Sequence, residues 1–466
     1  MIILNFVTHK KKNRMNDQIK TTPAEKWIIN PVNNFIKKST TGGIVLFVSA
    51  LVAIILANSS LSDWYHHIWE HKIGFTFDGA TYLNYTLHHW VNDGLMAIFF
   101  FVVGLELKRE IVGGELSNPK NAMLPIAAAV GGMIFPALIY GIFNSGTESS
   151  HGWGIPMATD IAFALGVLYL LGNKIPTSLK VFLTALAIVD DLGAVLVIAF
   201  FYTAEINFPM LFTGIGFVVF LYCSKAFGIR NTIFYAIVGI FGVWLPFLLS
   251  GVHATIAAVL VAFTIPADSK VDEILFIDKI KKYLEKFKNA DTTNKPTLTE
   301  EQLHLLEKIR VTTKDAMTPL QRLEHGMHSL VSFVIMPIFA LANAGVTFSN
   351  DILAETTSNV TLGVVFGLVA GKVIGVFGVS LAMIKFKIAN MPQGLNNMHL
   401  FGVGFLAAIG FTMSLFVTNL AFNNPEYELQ AKLGIFIAST IGGLIGFFIL
   451  NKNSKSTNII NSNTNA

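Results

Sequence analysis

Stretches of about twenty apolar residues recur along the whole chain, joined by short polar segments, and each is long enough to cross roughly 30 Å of hydrocarbon as a helix. Twelve such stretches are read, near 40–59, 86–106, 121–143, 152–171, 178–203, 209–224, 231–250, 251–266, 327–346, 361–384, 399–422 and 431–450. Only Gly251 separates the seventh from the eighth. Of the 466 residues 53% are hydrophobic and 13% charged; a soluble chain carries about 25% charged residues. That leaves too little polar surface to cover water-soluble domains, so the expected class is an all-α polytopic membrane protein with twelve transmembrane helices.

The distribution of Lys and Arg orients the helices, because cytoplasmic loops are enriched in them. The N-terminal tail, the joints after even-numbered spans and the C-terminal tail together hold 30 of the 33, while Lys72 and Lys432 fall on the opposite side and Lys372 falls inside the tenth span. Both termini are therefore expected in the cytoplasm. The chain divides into a cytoplasmic tail at 1–38, a membrane domain at 39–450 and a disordered, Asn/Ser/Thr-rich cytoplasmic tail at 451–466. Within the membrane domain, 60–85 is an outer loop whose alternating residues flank Asp78-Gly79, a β-hairpin signal. Such a hairpin has exposed edges suited to a second copy. The loop at 267–326 balances 11 basic against 11 acidic residues and has apolar positions at helical spacing, which reads as a solvated cytoplasmic helix pair. The single cysteine, Cys223, rules out a disulfide framework and a cysteine metal site, and a net charge of +4 is small for a nucleic-acid partner.

Ionisable residues inside spans are costly and mark functional positions. They are Asp93, Asp160, the adjacent Asp190 and Asp191, and Lys372. Two adjacent carboxylates amid apolar neighbours cannot both stay charged without a cation, a proton or a cationic partner. The fourth span is interrupted, since the run from Gly152 through Pro156 is poor helix and Ile161 onward is good helix. Thr159 and Asp160 then sit at a helix N-terminus and offer oxygen ligands for a cation or proton, with a Pro-Gly entry loop in which Asp160 is a simple N-cap as the alternative. The eleventh span carries Gly402, Gly404 and Gly410-Phe411-Thr412-Met413-Ser414 in its middle. Spans 3–5 and 10–12 thus form two triplets of inverted topology, each with its broken member second, which places a transport site near the midplane where spans 4, 5, 10 and 11 meet.

Lys372 belongs to that place, on a ridge of Gly363, Gly367, Gly371 and Gly375 that permits close helix contact. Asp160, Asp190, Asp191 and Lys372 carry a formal charge of −2, which one monovalent cation or protons can balance. Carboxylate, hydroxyl and carbonyl oxygens suit a hard cation. A proton and an alkali ion competing for the same carboxylates, exposed to each side in turn, outline an exchanger.

The strings Ala158-Thr159-Asp160-Ile161, Val189-Asp190-Asp191-Leu192-Gly193, Ser250-Gly251-Val252-His253, Ala340-Leu341-Ala342-Asn343-Ala344 and Gly410-Phe411-Thr412-Met413-Ser414 resemble those of bacterial NhaA-type sodium/proton antiporters, with span order kept from about 40 to 450. Inverted repeats with broken helices are themselves a feature of that family. The resemblance implies an electrogenic antiporter of the bacterial inner membrane that exports Na+ or Li+ for protons, needs no cofactor, serves pH and sodium homeostasis and dimerises through the 60–85 hairpin. It implies Asp191 as principal cation and proton carboxylate and Asp190 as its partner, alternating between the Na+ site and a salt bridge to the charge-compensating Lys372. Thr159 and Asp160 would lie at the crossing of the broken helices. It also implies a pH-sensing cytoplasmic cluster at Glu106, Lys108, Arg109, Glu110, His253, Glu324 and His325, with ordinary interfacial charge and a packed His253 as the alternative. The loop before Glu324 is longer than the family pattern.

Rival classes make different demands. A sodium-coupled organic solute symporter of related broken-helix fold needs recognition groups for an organic substrate, and Arg is absent from all twelve stretches. A channel needs no obligatory charge neutralisation, and a membrane enzyme needs a nucleophile with its base or a metal set.

Overall fold

The structure, a computed structural model, describes residues 41–78, 80–203, 206–290, 297–348 and 352–463; the tail at 1–38 lies outside them. The chain is built from helices α1 Thr41–Ala57, α2 Ser62–Glu70, α3 Met96–Gly113, α4 Pro119–Asn144, α5 Ile161–Leu170, α6 Thr177–Phe201, α7 Phe208–Ala226, α8 Thr232–Ser250 and α9 Ala254–Thr264. There follow α10 Glu273–Asn289, α11 Glu300–Ala316, α12 Pro319–Asn343, α13 Asn359–Lys385, α14 Asn397–Ala407, α15 Phe411–Ala421 and α16 Pro425–Asn463. Among the described residues seven helices are long and apolar enough to cross a membrane, and ten segments are when each bent pair counts as one. Of the stretches read from the sequence, α9 is short, and α3 carries the charges from Glu106 to Glu110 at its end.

The weakest boundary rests on one backbone conformation. Gly251 takes φ +82°, a left-handed geometry that closes α8 and lets α9 start three residues later. The outer loop holds the expected hairpin, β1 Lys72–Phe77 antiparallel to β2 Ala80–Thr86, with Phe75 opposite Tyr82 and a register irregularity between Ile73 and Phe75. Asp78 has φ +49°, as a tight turn at that position requires. The sequence did not foretell α2, which joins α1 at a bend of 112°. Nor did it foretell the backbone of 451–463, which continues α16 as helix where a disordered tail was expected.

Buried residues form one core around the broken spans, among them Leu183, Leu186, Phe339, Leu368, Leu406 and Phe416, and a second between α3, α7, α8 and α9 around Leu105, Tyr235 and Phe247. Apolar side chains also face outward, including Ile142, Phe200, Phe212 and Phe241. An outer surface this apolar needs lipid against it. The tightest helix contact brings the glycine ridge of α13 onto α4. A Cβ at Gly371 would lie 2.7 Å from the Cα of Pro136, and one at Gly375 would overlap the carbonyl of Gly131. Around this contact α13 widens into π turns at Gly367–Gly371 and Val373–Gly378, where the sequence reading had uniform helix. A π turn adds a residue to the helical ring and re-aims the side chains beside it; the one between these two is Lys372.

Candidate functional site

Two breaks in helical backbone meet inside the core. Residues 158–160 separate Glu148–Met157, a 3-10 helix, from α5 at a bend of 42°, and residues 408–410 separate α14 from α15 at 43°. Gly402 and Gly404 lie within regular α14, so of the glycines read as interruptions only Gly410 is at the break.

A broken span leaves carbonyls unpaired at the end of its first half and N–H groups unpaired at the start of its second. Here each break supplies groups that satisfy both. The Asp160 N–H donates to the Ile409 carbonyl at 2.7 Å, and the Thr159 hydroxyl donates to the Ala407 carbonyl at 2.9 Å. The Ser414 hydroxyl donates to the Ile155 carbonyl at 2.8 Å. Asp160 accepts the Phe163 N–H at 3.0 Å on one oxygen, and the Thr412 N–H at 3.1 Å with the Thr412 hydroxyl on the other. Asp160 is thus the N-cap of α5 and at the same time the anion facing the start of α15. Each helix N-terminus carries about half a positive charge, so the pair offsets about one negative charge.

Helix α6 places Asp190 and Asp191 beside this crossing, both 1% exposed. Lys372 reaches across from α13, its Nζ 2.6 Å from Oδ2 of Asp190, with both side chains wholly buried. Asp191 differs, since both its oxygens are buried without a hydrogen-bond partner. Its charged neighbours are Asp190, Asp160, Glu106 and Lys372. The formal charge of −2 therefore resolves by position. Lys372 sits on Asp190 and helix ends sit on Asp160, leaving the charge of Asp191 without a fixed protein partner. Buried groups in that condition are rare because they forfeit their hydration. No group of three or more His, Cys, Asp or Glu side chains suited to a resident metal occurs among the described residues.

The residues read as a pH cluster divide into parts. Arg109 pairs with Glu110 at 2.8 Å and with Glu324 of α12 at 3.0 Å, beside a cavity of about 400 Å³ lined by Arg109, Glu110, Thr318 and Gln321. Glu106 has Glu324, Arg109 and Glu110 as charged neighbours and is itself a neighbour of Asp191, so it stands between cluster and site. His325 is exposed next to Glu324. Lys108 points elsewhere. It is buried, and its ammonium donates to the carbonyls of Phe263, at 2.6 Å, and Ile265, at the C-terminal end of α9. A cation there meets unpaired carbonyls and the negative end of the helix dipole.

His253 does not join the cluster. It is the residue preceding α9, with Nε2 2.9 Å from the Tyr202 carbonyl. That is the opposite end of the helix from Lys108, about 16 Å away at 1.5 Å per residue. Asp93 lies near this side too, 3.4 Å from Nδ1 of His89. The sequence reading also gave no role to a buried amide network. Asn343 of α12 donates to Asn92 at 3.1 Å and meets His88 at 2.9 Å, and Asn419 of α15 donates to Asn343. The motif containing Asn343 was visible, but its partners lie 76 to 255 residues away.

With two broken helices, a lysine on one carboxylate and a second carboxylate unpartnered, the site can be set against known proteins. The family model described as "Na+/H+ antiporter 1" matches residues 33–450. The chain belongs to this Na+/H+ antiporter family. Similar curated proteins include Na+/H+ antiporter NhaA 2 of Syntrophotalea carbinolica, 48% identical over 91% of this chain and 97% of that protein. Others are the Na+/H+ antiporters NhaA of Sulfurimonas denitrificans, 48% identical over 92% and 97%, and of Wolinella succinogenes, 47% identical over 90% and 92%. Membership in this antiporter family makes the chain a multi-pass membrane transporter of Na+ and H+.

Proposed function

We propose that the chain exports Na+, or Li+, in exchange for protons by alternating access, and that Asp191 is the carboxylate for which the two compete. The observation that carries this reading is the pair of buried, unpartnered oxygens on Asp191. A carboxylate in that position is stabilised by binding a cation or a proton, and holding one excludes the other. Asp190 is the second ligand of the transported ion and is held by Lys372 when the ion is absent, so binding at Asp191 and the state of the ion pair are linked. Thr159 and Asp160 hold the crossing together, which keeps unwound backbone at membrane depth satisfied on either side of the transport cycle. Exchange of more than one proton per Na+ makes the cycle electrogenic, with the second proton carried by Asp190 or by Lys372.

The wider assignment goes with it. Cytoplasmic termini and an even number of spans are supported by the Lys and Arg distribution, twelve spans with inverted repeats by the apolar stretches and their two broken members, and residence in the bacterial inner membrane by the likeness to the antiporter family. A homodimer formed through the β1–β2 hairpin accounts for its exposed Ile73, Phe75 and Tyr82. Activation at alkaline pH acts through Glu106, Arg109, Glu110, Glu324 and His325, a cluster whose Glu106 is also a charged neighbour of Asp191. Lys108 serves there as a helix cap, and His253 lies at the other end of α9.

Sodium-induced proton release from everted vesicles tests the reading. Asp191→Asn is expected to insert in the membrane and to exchange nothing. Undiminished exchange in that variant removes the site, and sodium-driven uptake of an organic solute with no proton movement favours the symporter.

A further inference from the structure

The loop between α9 and α12 folds as a helical hairpin whose root is pinned to the membrane domain. Lys270 N–H donates to the Asp315 carbonyl at 3.1 Å, and its ammonium pairs with the Asp315 carboxylate at 3.2 Å. Leu320 N–H donates to the Pro266 carbonyl at 3.2 Å, and Arg230, in the joint between α7 and α8, pairs with Asp268. Three charged or polar joints of the same side thus converge where α9 ends and α12 begins. Helix α10 starts at Glu273, only three residues beyond Lys270.

The two helices pack through one face each. Phe276, Ile280, Tyr283 and Phe287 of α10 are half-buried, and Leu305 and Thr312 of α11 are buried. That contact leaves much apolar surface unused. Ile274 is 70% exposed, Leu275 55%, Ile277 49% and Leu284 53%. Three of these four are in the first two turns of α10, next to the pinned root, whereas a hairpin meant for water would place polar residues there. The same helix carries Lys279, Lys281, Lys282, Lys286 and Lys288 against Glu273, Asp278 and Glu285. A helix with outward Ile and Leu interleaved with lysines, starting at the level where spans end, has the composition of a segment lying in a lipid headgroup layer. Its lysine stems can lie along the apolar boundary while the ammonium groups reach phosphates.

We propose that α10 docks on the anionic surface of the membrane that holds the transporter, with Ile274, Ile277 and Leu284, which share one arc of the helix, at the headgroup–acyl boundary and Lys281 and Lys288 of the same arc reaching lipid phosphates. Like charge disfavours the chain's own N-terminal tail as the occupant, since its sequence holds eight basic and two acidic residues. The consequence reaches the transport machinery through α11, which leads within a few residues into α12 and Glu324, the partner of Arg109. Docking of α10 therefore holds the cytoplasmic mouth in place. That last consequence rests on the antiport reading; the docking itself does not.

The test uses full-length protein with Cys223 replaced by serine and a single cysteine, labelled with an environment-sensitive fluorophore, at Ile277 or Leu284, or at Glu301 of α11 as a control. Proteoliposomes are made from phosphatidylcholine alone or with phosphatidylglycerol, each with and without acyl-chain quenchers. The expected result is strong quenching at positions 277 and 284 in the anionic membrane, weaker quenching in phosphatidylcholine, and little at 301. Replacing Lys281 and Lys288 with glutamine is expected to lower the docked fraction in the anionic membrane, each lysine near such a surface contributing about fivefold. Water-like emission at 277 and 284 in both membranes overturns the proposal. So does quenching that is equal in both membranes, or burial of these positions that persists in detergent and disappears on dilution, the mark of contact between copies. Because the readout is fluorescence, it stands or falls independently of exchange activity.

Discussion

The ion pair between Lys372 and Asp190 allows the electrostatics of the site to be measured without transport. Both side chains are wholly buried, with 2.6 Å between Nζ and Oδ2. Removing one partner from such a pair costs about 3–5 kcal/mol, because the other is left buried and unpaired, whereas replacing both with apolar residues of similar volume is often close to neutral. In Asp190→Leu the ammonium of Lys372 still has Asp191 as a charged neighbour, so the loss falls at the low end of that range. In Lys372→Met, Asp190 loses its fixed cation beside the already unpartnered Asp191, so the loss falls at the high end and sodium should restore part of it. The double variant should lose about 1 kcal/mol or less, giving a coupling of about 7 kcal/mol. Unfolding entropy of about 2.1 cal/mol/K per residue makes 1 kcal/mol worth about 1 °C in a chain of this length, so the single variants melt about 3–5 °C low and the double variant close to wild type. Thermal unfolding in detergent, followed by tryptophan fluorescence at fixed sodium, is the assay. A double variant whose loss equals the sum of the single losses refutes the reasoning, since the pair would then carry no mutual stabilisation.

Other substitutions separate structural roles from transport roles. Asp160→Asn keeps an acceptor for one helix start and turns an amide N–H toward the other; a loss of about 1–3 kcal/mol in stability is expected, with exchange in everted vesicles reduced rather than abolished. Lys108→Ala uncovers the carbonyls of Phe263 and Ile265 and should lower the melting temperature while the pH profile of exchange stays in place; Glu324→Gln should move that profile. Gly375→Leu drives a side chain into the Gly131 carbonyl, separates α13 from α4 and should abolish exchange through misplacement of Lys372, visible as loss of folded protein on size exclusion.

Much of this site could be read before any coordinates because membrane burial makes a few polar residues conspicuous. Asp190, Asp191 and Lys372 stand out against apolar neighbours, and the glycines and proline before Thr159 mark a helix that cannot run through. Their mutual arrangement could not be read the same way. That Asp160 caps α5 and also faces α15 depends on contact with Thr412, 252 residues away. Lys108 looked like one more interfacial charge, since nothing local shows that the end of α9 lies above it. His253 was grouped with the cytoplasmic charges by motif alone, although the span order puts the start of α9 on the other side. The π turns around Lys372 arise from packing of α13 on α4, and local propensity carries no signature of them.

The central claim is that Asp191 holds either a sodium ion or a proton and never both. Titration calorimetry of Na+ into purified protein, repeated in buffers of different ionisation enthalpy, counts the protons released per cation bound. Wild type is expected to release at least one proton per Na+ bound, and Asp191→Asn to give no sodium binding heat. Sodium binding to the wild type with no proton released would contradict it.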